Sequence, residues 1–327
     1  MKILIAGYGS IGRVHAANAA AHGTVGVFDV NSDAIGDIEH RFVDPDRALA
    51  WGPDAVIVAT PPETHLALVA KAAGAGLPVL IEKPVAASWP EILEYEERLR
   101  GTKCWVVCNM RFHPAIAAMT EHLDDIGAPM FARADYGHYL PNMRPGADYR
   151  TLYAARRAAG GGVVRDAIHE IDYLMSWFGP VAEVSCSAGT QSDLDIDVED
   201  CAAITLRHET GMRSEIHLDY LRRRKRRGCE ICGDAASLVW LSDGRAPEDC
   251  AVTLDHDNDN RETILTDPDL DGSVMYRTLM SEFIAAVQQH PHRLASLAEG
   301  IDAFAVALAA LQSAESGRAV EPVRMAA

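Results

Sequence analysis

Basic residues are scarce in this chain, and the shortage excludes a class of function. Lysine and arginine number 30 against 47 aspartates and glutamates, a formal net charge of −17 over 327 residues. A general nucleic-acid binder needs a basic face to displace counterions, so nucleic acid is not an expected partner. The one basic run, Arg222-Arg223-Arg224-Lys225-Arg226-Arg227, follows the alternating segment Ile216–Leu221 and is expected to continue a strand or turn facing solvent. Long apolar runs are missing too. No stretch reaches the roughly 20 apolar residues of a membrane span, so no membrane partner is expected. Cysteines number seven, odd and scattered through strand-like segments, as free thiols of a reducing compartment would be. Cys229 and Cys232 have CxxC spacing but no second pair and no helix N-terminus to activate them, so they read as strand residues. The aspartate-rich stretches Asp193–Asp200 and Asp255–Asp259 lack the glycine-centred spacing of a calcium loop and read as solvated turns. No metal site is expected. The chain enters its first strand within two residues of Met1, unlike a signal peptide, and the expected location is cytoplasmic.

What is present has the texture of two domains. A chain of 327 residues is long for one core, while 48% apolar and 24% charged residues are ordinary for a globular protein. The first 120 residues alternate apolar runs with alanine-rich helical patterns. Strands are expected at Lys2–Ala6, Val25–Asp29, Asp54–Thr60, Pro78–Glu82 and Cys104–Cys108, with helices at Ile11–Ala21, His65–Ala75 and Pro90–Arg100, the last capped by Ser88. This is the pattern of a doubly wound parallel sheet, a Rossmann domain over 1–120. After Pro129 a strand (Met130–Gly137) and an arginine-bearing loop (Leu140–Ala159) lead to Gly160-Gly161-Gly162 and one helix running to Phe178. Alternating segments at Val181–Ala188, Cys201–Arg207, Arg213–Leu221, Arg226–Cys232 and Ser237–Trp240 follow without intervening helices, and two helices near Val274–Gln289 and Leu297–Glu315 close the chain. Residues 121–327 therefore read as an α+β domain on a large, mostly antiparallel sheet.

Chemistry concentrates at a few places. Gly7-Tyr8-Gly9-Ser10-Ile11-Gly12 follows the apolar run Ile3–Ala6. In such a turn the first glycine permits the bend, the second admits pyrophosphate against backbone, and the third lets helix pack on strand. The phosphates would sit at the positive end of the helix beginning near Ile11. Asp29 ends the next strand, where a carboxylate accepts both adenosine ribose hydroxyls and repels a 2′-phosphate. No arginine follows it, so NAD is expected rather than NADP. Thr60, Pro61 and Pro62 follow the fourth strand and would wall the nicotinamide side; His65 either joins them or merely starts a helix. Glu82-Lys83-Pro84 ends another apolar run, placing a lysine at the same crevice. The sequence leaves the Lys83-Pro84 bond open between cis and trans.

Taken in order, these segments together with Asn109-Met110-Arg111-Phe112-His113-Pro114 and Gly160-Gly161-Gly162…Asp166…His169…Asp172 resemble the Gfo/Idh/MocA family over nearly the whole chain. The resemblance implies an NAD(P)-dependent oxidoreductase acting on CH–OH groups of a sugar, cyclitol or sugar nucleotide. It also implies a homodimer or homotetramer built through the open C-terminal sheet. The family's lysine touches both substrate and nicotinamide ribose, a role that carries onto Lys83, and its acid–base histidine carries onto His169. Many relatives place four steps between the aspartate and the histidine. Here Asp166 and His169 are three apart, a spacing that keeps them on one face of a helix.

The reaction itself asks for these groups. Oxidising an alcohol removes the hydroxyl proton as hydride leaves carbon. An imidazole suits that task, and an ammonium beside the same oxygen stabilises the developing alkoxide. Asp166 or Asp172 would orient the imidazole. Arg111, Tyr149, Arg150 and Arg156 are candidates for gripping substrate, or else belong to an ordinary solvated loop. Two alternatives share the scaffold: a glycosidase using NAD transiently, and a non-catalytic NAD-binding regulator.

Overall fold

The apolar runs of the first hundred residues are strands buried on both faces, as a parallel sheet covered by helices requires. In the computed structural model, which describes residues 1–244, 248–257 and 260–325, they alternate with helices in one winding. The order is β1 (Lys2–Ala6), α1 (Ser10–Ala19), β2 (Thr24–Phe28), α2 (Ser32–Ile35), β3 (His40–Phe42), α3 (Pro45–Ala50), β4 (Ala55–Val58), α4 (His65–Gly74), β5 (Val79–Ile81), α5 (Trp89–Leu99) and β6 (Cys104–Val106). Ile3, Ile5, Ile57, Leu80 and Ile81 are fully buried. Strand β3 is too short and too polar to be expected from its residues. Ser88 stands at the N-cap of α5 but makes no side-chain cap bond there. Glu91 reaches back instead and accepts the Ala87 N–H at 3.0 Å.

The following segment supplies α6 (Pro114–Glu121), β7 (Pro129–Gly137), α7 (Val163–Asp166), α8 (His169–Phe178) and seven strands. These are β8 (Val181–Gly189), β9 (Cys201–His208), β10 (Arg213–Asp219), β11 (Arg226–Gly233), β12 (Ser237–Ser242), β13 (Glu248–Asp255) and β14 (Arg261–Leu270). The last two extend the sheet beyond what the alternation indicated. They form an eight-stranded sheet in the order β14-β13-β12-β11-β7-β10-β9-β8, antiparallel except where β7 runs parallel to β10. Register sorts its faces. Ala132, Ala134, Ile231, Leu238 and Trp240 are buried, whereas Phe131 and Leu241, on the opposite face, are 42% and 50% exposed.

The chain ends with α9 (Val274–Val287), β15 (Ala295–Ser296) and α10 (Leu297–Ser316). β15 pairs antiparallel with β6, giving the first sheet the order β15-β6-β5-β4-β1-β2-β3. Two compact units result: Met1–Asn109 with Met275–Ile301, and Met110–Val274 with Asp302–Arg324. α10 corrects one expectation, because its alanine-rich stretch is long and apolar enough by length and composition to cross a membrane. About 61% of that stretch is buried within the protein, as in a core helix.

Three further readings change. The expected single helix after the glycine triplet is two, because Ala167 (φ −93°, ψ 37°) leaves helical geometry after Asp166. Asp166 and His169 therefore do not share one continuous helix face. The basic run is not simply solvent-facing. Arg227 pairs with Glu170 at 2.6 Å with side chains only 15% and 0% exposed, and Arg222 bridges Asp135 and Asp219. The carboxylate on α8 demands a counter-charge, and β11 provides it. Asp200 is no solvated turn residue. It is fully buried and accepts the N–H groups of Gln191 and Ser192 at 2.7 and 3.0 Å. In the second aspartate-rich stretch Asp255 pairs with Arg261 at 2.6 Å, while Asn258 and Asp259 lie outside the described residues. Cys229 and Cys232 lie in β11, where residues three apart point to opposite faces, and both are free thiols.

Candidate active site

Strand register brings the predicted residues of the first unit to one edge. Ala6 is aligned with Phe28 of β2 and Val58 of β4, and Val58 with Ile81 of β5. Each of the residues that follow therefore emerges at the same, carboxyl, edge: Gly7 after β1, Asp29 after β2, Thr60 after β4 and Lys83 after β5. The order β3-β2-β1-β4-β5-β6 reverses between β1 and β4, the place where open sheets of this kind bind dinucleotides. From Asp29 to Lys83 the edge spans three strand spacings, roughly 14 Å. A surface groove of about 860 Å³, lined by Ala67, Lys71, Leu77, Tyr95, Arg98 and Lys103, lies at the opposite, amino, ends of β5 and β6.

The three glycines separate by what each would meet. A Cβ on Gly7 (φ +94°) would stand 2.6 Å from the Ala59 carbonyl, and one on Gly12 would stand 2.0 Å from the Gly7 carbonyl oxygen. Those two are glycine for the fold's own sake. Gly9 is different, because a Cβ there meets none of the described residues within 4 Å and its φ of −71° suits any residue. Among the described residues nothing crowds position 9, so the backbone at the N-terminus of α1 is open to close approach by a ligand. Ser10 and Ile11 open that helix, whose first-turn N–H groups have no carbonyl partners within it. Asp29 fits the same ligand. Its Oδ2 accepts the Tyr8 N–H at 2.7 Å and its Oδ1 the Asn31 N–H at 2.9 Å, which fixes the carboxylate beside the glycine turn. The residues at this edge thus fit a dinucleotide with free ribose hydroxyls.

Two buried histidines hold the other end of the edge. His65, at the start of α4, lies between two carbonyls: Nδ1 is 2.9 Å from Pro84 O and Nε2 is 2.7 Å from Thr60 O. It therefore ties the segment after β4 to the segment after β5. Burial lowers its pKa, against the two carbonyls and the Glu82 and Glu63 carboxylates, which raise it. Thr60 also accepts from the Thr64 hydroxyl at 2.7 Å, and Pro61 and Pro62 lead into a short 3-10 turn. The second histidine, His15, has no place among the motifs read from the sequence. It is fully buried on α1 with Nε2 2.8 Å from Glu82 Oε1. Its signal is a polar residue at the buried spacing Gly12, His15, Ala16, Ala19. The Lys83-Pro84 bond is cis.

In the second unit all three glycines of the triplet have structural reasons. Gly160 and Gly162 have φ of +78° and +110°, and a Cβ on Gly161 would meet the Tyr153 carbonyl at 2.2 Å. His169 is the first residue of α8 and is half-buried. Asp166 accepts hydrogen bonds from the Tyr153 and Tyr220 hydroxyls. Burial raises the pKa of Tyr220, keeping it a donor. Asp172 turns to Arg111. Its carboxylate takes the Nε and Nη2 edge of Arg111 at 3.0 and 2.8 Å, so that edge of the Arg111 fork is not presented to a ligand. Arg150 is exposed and paired with Asp148 at 2.8 Å, Arg156 is exposed, and the Tyr149 hydroxyl accepts the Asp195 N–H at 3.2 Å. Tyr153, Tyr220 and Glu170 were not anticipated: Tyr220 and Glu170 meet partners 54 and 57 residues away, and Tyr153 meets one 13 residues away across the glycine triplet.

Comparison with known proteins decides the relationship. Residues 1–110 match the oxidoreductase family's NAD-binding Rossmann fold, and residues 126–324 match its C-terminal alpha/beta domain. The chain belongs to the Gfo/Idh/MocA family of oxidoreductases. Its cofactor is NAD, and the doubly wound first sheet and mostly antiparallel second sheet are the family's own. A 1,5-anhydro-D-fructose reductase from Ensifer adhaerens is 28% identical over 299 residues, 88% of this chain and 84% of that protein. An oxidoreductase from Agrobacterium radiobacter, solved with NAD+, L-tartaric acid and magnesium, superposes with a TM-score of 0.81 at 21% identity, covering 98% of each chain. A myo-inositol dehydrogenase from Corynebacterium glutamicum does so with 0.81 at 22% identity, covering 99% of each. At those identities the two structures speak for the fold.

Proposed function

We propose that this oxidoreductase moves hydride between NAD(H) and a carbon bearing hydroxyl or carbonyl in a sugar, cyclitol or sugar-nucleotide substrate. One observation carries the reading: Lys83 leaves the same sheet edge as the glycine turn and Asp29, on a segment tied down by His65. NAD, when bound, accepts or returns the hydride. Lys83 supplies a positive charge for the alkoxide that develops on the substrate, and His169 takes the hydroxyl proton. Asp166, held by two tyrosine hydroxyls, stabilises the charge His169 gains. Arg111 shapes the pocket through its pair with Asp172, while Tyr149, Arg150 and Arg156 line its approach. The names of the relatives support a polyol or reduced-sugar substrate, since they include a 1,5-anhydro-D-fructose reductase and an inositol 2-dehydrogenase.

Assembly belongs to the same proposal. The open face of the second sheet, with Phe131 and Leu241 exposed, is the surface through which a homodimer or homotetramer forms. Seven free cysteines suit a cytoplasmic setting. The test is a panel of cyclitols, sugars and anhydro-sugars assayed for NADH appearance with NAD+, and for NADH loss with the corresponding ketones. Reaction with at least one member is expected, and bound NAD without turnover across the panel refutes the enzymatic reading.

A further inference from the structure

We propose that His15 is a positioning residue for Lys83, acting through Glu82. The inference rests on the reading of Lys83 given above and adds a residue with no place in it. His15 sits one turn beyond Gly12 on the buried stripe of α1, the helix at whose N-terminus the reading above seats the pyrophosphate. Its Nε2 lies 2.8 Å from Glu82 Oε1, and Glu82 Oε2 accepts the Lys83 backbone N–H at 3.2 Å. Glu82 in turn donates its own N–H to Val58 O at 2.9 Å, which fixes where β5 ends. Both carboxylate oxygens are thus engaged, one by α1 and one by the peptide that carries Lys83.

The rest of the His15 ring shows where its polarity is aimed. Among the described residues Nδ1 has no hydrogen-bond partner, and the Tyr276 ring stands edge-on with centroids 6.0 Å apart. A hydrogen on Nδ1 would be buried without an acceptor, so the ring carries its hydrogen on Nε2 and gives it to Glu82. Packing alone would favour an apolar side chain at a fully buried helix position, and a carboxylate 7% exposed at a strand end would favour solvent. The two polar groups explain each other. Their bond joins the helix that seats the dinucleotide to the segment that presents the ammonium, so that Lys83 is placed relative to the bound cofactor. His65 anchors the far side of the same segment at Pro84 O. Loss of the His15 bond should therefore shift Lys83 without unravelling the loop.

The test reads Lys83 directly and needs no substrate: acetylation by acetic anhydride, with and without NAD+, followed by peptide mass spectrometry. In the wild type Lys83 should react slowly and be shielded by NAD+. His15→Phe keeps the ring and removes the donor, and should raise the Lys83 rate about fivefold or more while weakening the shielding, because the segment opens more often. His15→Gln places an amide nitrogen the same number of bonds from the backbone as Nε2 and should restore the wild-type rate. Glu82→Gln should match His15→Phe, and the double variant should be no worse than the worse single, as for two groups acting as one unit. An unchanged Lys83 rate in His15→Phe overturns the proposal, as does equal loss in His15→Phe and His15→Gln. If His15→Phe does not fold, a wild-type rate in Glu82→Gln overturns it instead. Failure of NAD+ to shield Lys83 in the wild type contradicts the reading of Lys83 itself, which separates the two.

Discussion

Replacing Gly9 by alanine should divide folding from cofactor binding. The added methyl meets no atom of the described residues within 4 Å, and the backbone at φ −71° accepts it. Alanine is a poorer N-cap than glycine, which costs up to about 1 kcal/mol, but it also restricts the unfolded chain, which returns about 0.4–1 kcal/mol. Stability should therefore change by less than about 1 kcal/mol. On the proposed reading the methyl instead fills space that a pyrophosphate needs against the N-terminus of α1. A loss of even one close phosphate–backbone contact should weaken NAD binding at least about tenfold, equivalent to about 1.4 kcal/mol. Gly7→Ala and Gly12→Ala provide the contrast. Their methyls would stand 2.6 and 2.0 Å from backbone atoms, so both should destabilise the fold by about 1–3 kcal/mol or more. Urea unfolding and calorimetric NAD titration of the three variants measure both quantities. Wild-type NAD affinity in Gly9→Ala would show that the glycine turn does not hold the pyrophosphate.

Two further outcomes concern stability. Arg227→Met leaves the fully buried Glu170 carboxylate without its cation and should cost about 3–5 kcal/mol in urea unfolding, most of it regained in Arg227→Met/Glu170→Leu. The second is a pH effect. Burial lowers the pKa of His65 and of His208, the latter against the Gly179 carbonyl, which raises it. The unfolded chain then takes up protons first as pH falls below about 6.5, so stability is greatest above that value and declines until each folded pKa is passed. Melting temperature should fall between about pH 7.5 and about pH 5.5, and His208→Gln should flatten the decline; an unchanged slope would remove His208 from the account.

Much of the first unit was legible because its signals are local. A glycine turn between an apolar strand and a helix needs only adjacent residues, and Asp29, Thr60 and Lys83 each end an apolar run. Register then places all of them at one edge. What escaped notice depends on pairings distant in sequence. His15 meets Glu82 67 residues away, and Arg227 meets Glu170 57 residues away. A histidine on a helix stripe or an arginine in a basic run looks the same whether solvated or buried until its partner is known. Strand β3 was hidden by its polar composition, and the break at Ala167 by a helical pattern that continues unbroken through Asp166 and His169 in the sequence. The glycine triplet ran the other way. It belongs to the family resemblance, yet the structure accounts for each of its members by backbone geometry or close contact within the second unit.

The central claim is that an ammonium at position 83 is required for hydride transfer but not for holding the cofactor. Single-turnover NADH formation by Lys83→Met, with the best polyol of the panel and saturating NAD+, tests it directly. The account predicts NAD+ affinity within about threefold of wild type and hydride transfer slowed by a factor on the order of 10³, the scale of losing one preorganised electrostatic group. Hydride transfer at the wild-type rate in that variant would contradict it.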